Sequence, residues 1–445
     1  MCHLRKDDEA PFSDSSRLLE CLRPGKEGTK PVIVRTHHRS KEPFQLVDYP
    51  PRDASGVHLV RSASMSAKFE KEGGLLRAEN KMRTGVAHLP LHYGKAPSWL
   101  FQRMKSLARE VTLFIIDGYG VEEMLSRLSD PFWFQAFGCA LGFDWHSSGV
   151  TTTACGALKE GIKGMERELG LFIAGGKGKT SRRTPLEIEE VCNQSAMNGA
   201  PLVYASRMSA KVDSAAVQDG YQIYHHTFFF TRSGQWAVVQ QGMNEESRYA
   251  RRYHWFSQGV RDFVCEPHWA VCCDQRNAGL NLVAQESEKT RQSITELSHE
   301  KPEFLASEGR KINELFLPRA HPVPMEAIQI ERLDKAFKQI YEHSPSNFEE
   351  LLGIKGVGPK SLRALSLISE LIYGVKPSFR DPTQFSFAHG GKDGHPYPVD
   401  RKVYDQSIEI LKGAIDKAKV GDREKMEAIR RLREFNVKCQ SPKFQ

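Results

Sequence analysis

The chain has 445 residues, 40% of them hydrophobic and 27% charged, with a formal net charge of +8 at pH 7. That length holds two or three domains with ordinary cores, and no apolar run approaches the roughly 20 residues that span a bilayer. The chain therefore reads as a soluble protein, and the mild basic excess permits nucleic-acid binding without demanding it. The opening MCHLRKDDEAPF has no apolar core behind its charges, so it reads as no secretory signal. Nine cysteines are scattered without a CxxC pair. This supports neither a zinc ribbon nor a disulfide framework and fits a reducing cytoplasm.

Residues 1–81 mix Pro, Ser, Arg and Lys with few periodic apolar positions, the composition of a segment that cannot offset its ordering entropy. Globular patterning begins after Met82, which is expected to be the natural first residue. From there to about residue 282 the pattern is mixed α/β. SWLFQRMKSLAREV has helical periodicity. VTLFIID, ending at Asp117, reads as a buried strand. Helices are predicted over VEEMLSRLSD, PFWFQAFGCALGF and TACGALKEGIKGMEREL. Another is predicted over TPLEIEEVCNQ, where Thr184, Pro185 and Glu187 make a capping-box start. YQIYHHTFFFT and QWAVVQQGMN flank RSG as a β-hairpin. Residues 283–324 read as a charged helix and a proline-rich linker, and residues 325–445 as helical almost throughout. The fold class predicted is α+β: an N-terminal mixed α/β domain (82–282), then an all-α domain carrying a helix-hairpin-helix (325–445).

That hairpin is LLGIKGVGPKSLRALSLISE, from Leu351 to Glu370. Gly356 and Gly358 allow a tight turn around an inward Val357 and expose N–H groups at the start of the second helix. Such a terminus binds phosphate through its dipole and unpaired donors, with Lys355 and Lys360 supplying charge. Nothing there reads base edges, so contact with DNA would be sequence-independent. The stretch resembles the helix-hairpin-helix motif of DNA-repair proteins. A plain αα-corner or a protein-binding motif is the alternative. Base-excision glycosylases with this motif place a catalytic lysine in the hairpin and an aspartate after the second helix. The resemblance puts Lys360 and Asp400 of YPVDRKVYD in those roles, although the gap of about forty residues exceeds the family pattern and the cysteines of an iron-sulfur cluster are absent. A helix cap is the other reading of Asp400. FAHGGKDGHPYPVDR, with Lys392 and Arg401, reads as a second phosphate contact, with a turn-rich connection of solvated charges as the alternative.

The α/β region has its own polar concentration. Asp213 and Asp219 precede the hairpin whose strands carry His225, His226, Gln240 and Gln241. Neighbours on a strand point to opposite faces, so only one of each pair shares a face. Buried polar groups cost free energy unless partnered. Two carboxylates and a histidine, Asp213, Asp219 and His226 (or His225), are candidates to hold a divalent metal, Mg²⁺ or Mn²⁺, for phosphodiester hydrolysis. A satisfied hydrogen-bond network is the alternative. AGGKGKTSRRTP fails the phosphate-loop spacing because Ile173 stands where the first glycine is required, so no nucleotide cofactor is predicted. Its Lys177, Lys179, Arg182 and Arg183, joined by Arg207 if folded nearby, make a phosphate track. RYARRYHWF interleaves Arg251 and Arg252 with aromatics, suiting backbone contact and base stacking on single strands, with an amphipathic helix of core aromatics and solvated arginines as the alternative.

RTGVAHLPLHYGKAP, GFDWHSSGVTTT, VQDGYQIYHHTFFF, WAVVQQGMN, RRYHWF and FAHGGKDGHPYPVDR together resemble the prokaryotic domain-of-unknown-function 763 family. This resemblance brings no established activity. The residues themselves predict a cytoplasmic DNA-binding protein of repair or processing, with a metal-dependent nuclease as the leading form. The alternatives are a non-catalytic recruitment module and a glycosylase or lyase using Lys360 and Asp400.

Overall fold

The computed structural model describes residues 98–143, 147–273, 275–314, 330–383 and 401–440. Residues 1–81, Lys392 and Asp400 lie outside them. The fold is a mixed α+β one, organised on a five-stranded sheet. The strands in chain order are β1 (Leu171–Lys177), β2 (Val217–Gln218), β3 (Gln222–Thr231), β4 (Trp236–Asn244), β5 (Tyr249–Phe256), β6 (Ala270–Cys272) and β7 (Leu280–Asn281). The main sheet runs β1-β3-β4-β5-β6 with every neighbour antiparallel, and β2 pairs with β7 as a small separate ladder.

Antiparallel sheets often leave one face to solvent, which gives alternating apolar and polar positions. Here both faces are covered, so alternate residues enter two different apolar clusters. Ile173, Phe229, Val239 and Phe256 join the first, with the helices Ser98–Tyr119, Val121–Ser129, Pro131–Leu141 and Gly149–Gly161. Phe172, Phe228, Val238 and Trp255 join the second, with Thr184–Ser195, Ala200–Lys211, Glu288–Leu297 and Pro359–Tyr373. The helices that follow residue 325 are shared between these layers. Ile410, Leu411 and Leu432 pack in the first cluster, whereas Phe337, Leu351 and Leu365 pack in the second.

VTLFIID, expected as a strand, is the second half of the helix Ser98–Tyr119. Leu107, Ala108, Val111 and Ile115 are all buried at spacings of three and four. A branched residue costs a helix only a few tenths of a kcal/mol, and burial of a full helical stripe outweighs that. The expected capping box at Thr184 does not close. Glu187 turns instead to the Gly175 N–H at 2.9 Å and the Lys159 ammonium at 2.6 Å. This clamps β1 where Gly175 (φ 87°) passes so close to β3 that a Cβ would sit 2.3 Å from the His226 carbonyl oxygen.

Candidate functional site

Because the sheet is buried on both sides, the doublets HH, QQ and RR each send one residue to either layer. Pairing aligns them in two transverse rows. Lys177, His225, Gln241 and Arg252 stand opposite one another in successive strands, and so do His226, Gln240 and Tyr253 in the adjacent row.

Members of the first row bond to neighbours outside it. His225 Nε2 lies 2.9 Å from the Thr227 hydroxyl. Gln241 donates to the Ser148 carbonyl at 3.0 Å and to Tyr224 at 2.5 Å. Arg252 is fully buried and donates to Thr151 Oγ1 at 2.9 Å and Gln135 Oε1 at 2.5 Å, with its guanidinium 4.9 Å from the Phe134 ring centre. Burial pulls its pKa down to about 10. Burial, with the charges of His226, Lys177 and Arg252, pushes His225 down to about 3.

The second row carries a directed hydrogen-bond chain. Asp213, fully buried, accepts at Oδ2 from Trp255 Nε1 (2.9 Å) and Gln240 Nε2 (2.5 Å), and its Oδ1 lies 2.5 Å from His268 Nε2. Gln240 Nε2 also faces the Ser209 carbonyl at 3.3 Å. With its amide nitrogen committed to acceptors, Gln240 presents its carbonyl oxygen to His226 Nδ1 at 2.8 Å. That contact requires the proton on Nδ1. The lone pair of Nε2 therefore faces the Ser206 hydroxyl at 2.9 Å. Burial lowers the His226 pKa to about 4, against an opposing contribution from Gln240, so the imidazole is neutral at physiological pH. Burial raises the Asp213 carboxyl, opposed by His268 and Trp255.

His226 and Ser206 line a cavity of about 630 Å³. Its other walls include Arg182 of the segment Gly178–Arg183, Arg207 and Lys211 of the helix Ala200–Lys211, Gly353 next to the turn Ile354–Gly358 and Lys355 within it. The turn joins the short helix Phe348–Gly353 to Pro359–Tyr373 and is held from beneath. Lys211 Nζ reaches the Ile354 carbonyl at 3.3 Å and also bonds the Val357 carbonyl. Val357 is buried, while Lys355, Gly356 and Lys360 are exposed. The turn's positive-φ residue is Gly356 (φ 97°). One of the N–H groups expected to be open, that of Gly358, is taken by the Ser361 hydroxyl at 2.9 Å.

Residues 85–399 match the family described as protein of unknown function (DUF763). The chain belongs to that family. No curated protein and no solved structure matches it, so in this DUF763 protein the geometry alone bears on the sites named from the sequence.

Asp213 and Asp219 lie in separate networks. Asp219 accepts from Arg251 Nη1 and Tyr253 Oη, both at 2.7 Å, and Arg251 Nη2 reaches Asp381 at 2.8 Å. His226 meets Asp213 only through Gln240. The carboxylate oxygens expected to ligate a metal are thus committed to N–H and O–H donors of the chain. Among the described residues no group of three or more His, Cys, Asp or Glu side chains is placed to hold one. Arg251 and Arg252, expected on a nucleic-acid surface, are instead fully buried, because β5 is an interior strand packed on both faces. Lys177 and Lys179 are exposed. Lys360 is exposed near the start of Pro359–Tyr373, and Arg401 opens the helix Arg401–Lys417. Among the described residues no helix is long and apolar enough to cross a membrane. Sequence reasoning missed Ser206, His268 and Lys211. Each is an ordinary residue in a helical or loop context, and only the fold gives it a partner.

Proposed function

We propose that this protein binds nucleic acid through the phosphate backbone and acts in DNA repair or processing. The contact surface in this reading is the turn Ile354–Gly358 with the cavity beside it. One observation carries the proposal: Arg182, Arg207 and Lys355, from three separate stretches of chain, line one cavity. Arg182 and Arg207 belong to the basic track read from the sequence, and Lys355 belongs to the glycine turn. Two stretches read independently as phosphate contacts therefore line the same cavity. Cations converging from separate stretches of chain suit a phosphodiester, and nothing in the group discriminates bases. Arg207 has Glu189 at 3.9 Å, an exposed pair that a phosphate displaces at little cost. No metal-dependent step is drawn, because Asp213 and Asp219 already serve the protein's own donors.

Fluorescence anisotropy with labelled single- and double-stranded oligonucleotides, across a range of KCl concentrations, tests the reading. Binding should weaken steeply with salt. Each of Arg182→Ala, Arg207→Ala and Lys355→Ala should reduce the slope of log affinity against log salt by roughly one. Binding that ignores salt, or a triple variant that binds like the parent, sinks the proposal.

A further inference from the structure

Deepening that reading, we infer that Ser206 is a nucleophile and His226 its general base, acting on the phosphodiester of a nucleic-acid strand held in the cavity. The inference rests on the nucleic-acid reading for the identity of the substrate and on the hydrogen-bond chain for the chemistry. A serine hydroxyl is a weak nucleophile until an adjacent base takes its proton. Here the base is fixed by its neighbours. Asp213 orients Gln240, and Gln240 accepts from His226 Nδ1, which leaves Nε2 to accept from Ser206 at 2.9 Å. This is the nucleophile, base and orienting group of a hydrolytic triad, with an amide in place of the usual carboxylate.

Both reacting side chains line the cavity although each is almost entirely removed from solvent. Arg182, Arg207 and Lys355 are the groups placed to stabilise charge developing on the non-bridging oxygens. The step balances without a co-reactant other than water. An Oγ–P bond forms as the Ser206 proton moves to His226 Nε2. The P–O bond to the leaving group then breaks, and that oxygen takes the proton from His226. In the second half water gives a proton to Nε2 and forms an O–P bond, the Oγ–P bond breaks, and Ser206 regains its proton.

The test incubates the full chain with bis(p-nitrophenyl) phosphate in EDTA, following nitrophenolate release and the intact mass. Oligonucleotide anisotropy is measured on the same preparations. Expected are release that survives EDTA and a transient aryl-phosphoryl adduct that peptide mapping places on Ser206. Release should fall about 100-fold or more in Ser206→Ala and in His226→Gln. Circular dichroism checks that both variants fold, and the adduct on the parent protein makes the result independent of either variant. Oligonucleotide binding without release or adduct overturns the inference and leaves the binding reading standing, as does release unaffected by Ser206→Ala. An adduct on Ser206 in protein that binds no oligonucleotide supports the nucleophile and removes the nucleic-acid reading.

Discussion

Acidification should destabilise this protein well before its carboxylates titrate. His225 and His226 are buried and neutral, with burial bringing them from an ordinary 6.5 to about 3 and about 4. The unfolded chain therefore takes up protons first as the pH falls below about 6.5. Stability is fully present above that value and is lost progressively as the pH falls towards the folded-state values. Near pH 5 an unfolded histidine is almost wholly protonated while the folded ones remain largely neutral. The linkage integral is then about 2 kcal/mol for each, or about 4 kcal/mol for the pair, against a typical total of about 5–15 kcal/mol. Asp213, raised by burial, works in the opposite sense, so a variant is needed to isolate the histidines. Urea unfolding followed by tryptophan fluorescence at about pH 7.5, 6 and 5 measures the loss, with His226→Gln expected to remove about 2 kcal/mol of it, while His225 and His254, both lowered by burial, still contribute the rest. A midpoint unchanged between pH 7.5 and 5, or a pH dependence identical in His226→Gln, would refute the reasoning.

Two further substitutions probe the frame around the site. Arg251→Ala leaves Asp219 buried without its guanidinium partner at 2.7 Å and frees Asp381 from its contact at 2.8 Å. A loss of about 3–5 kcal/mol in urea unfolding is expected, and a loss below about 1 kcal/mol would contradict the burial of this pair. Gly356→Ala forces a side chain into φ 97° and places its Cβ 2.3 Å from Gln339 Oε1. The local cost is about 1–2 kcal/mol. It should appear as weaker oligonucleotide binding with global melting nearly unchanged, and unaltered affinity would show that the turn does not touch the ligand.

How much of this was legible in the chain depended on whether the signal was local. The β3–β4 hairpin was readable from FFF and AVV around RSG, and the split of His225 from His226 and Gln240 from Gln241 followed from the two-residue period of a strand. The helix Ser98–Tyr119 was cut short because VTLFIID has strand composition, and only packing decides such a run. Arg251 and Arg252 deceived for a related reason. Paired arginines among aromatics read as a surface, yet the two faces of β5 bury one each against Asp219 and Gln135. Ser206 carried no signal at all. A serine inside PLVYASRMSAK acquires chemical meaning only once β3 brings His226 to its hydroxyl.

One helix ties the turn to the hydrogen-bond chain. Ala200–Lys211 offers Tyr204 to Glu349, Ser206 to His226, and Lys211 to the carbonyls of Ile354 and Val357. The π-helical turn Val212–Ala216 that follows swings Asp213 inward to Gln240; turns of this kind frequently occur at functional sites. A ligand that presses on the turn thus acts on the helix that sets the Ser206 hydroxyl. Lys211→Met keeps the length of the side chain and removes its two carbonyl contacts. A hydrogen bond from a charged donor contributes about 1.5–3 kcal/mol, so loosening the turn should weaken oligonucleotide binding roughly tenfold or more. Lys211 is bound to carbonyls rather than directed at a phosphate, so the salt slope should stay that of the parent while affinity falls. A slope reduced by a full contact would make Lys211 a phosphate ligand and break the proposed link through the helix.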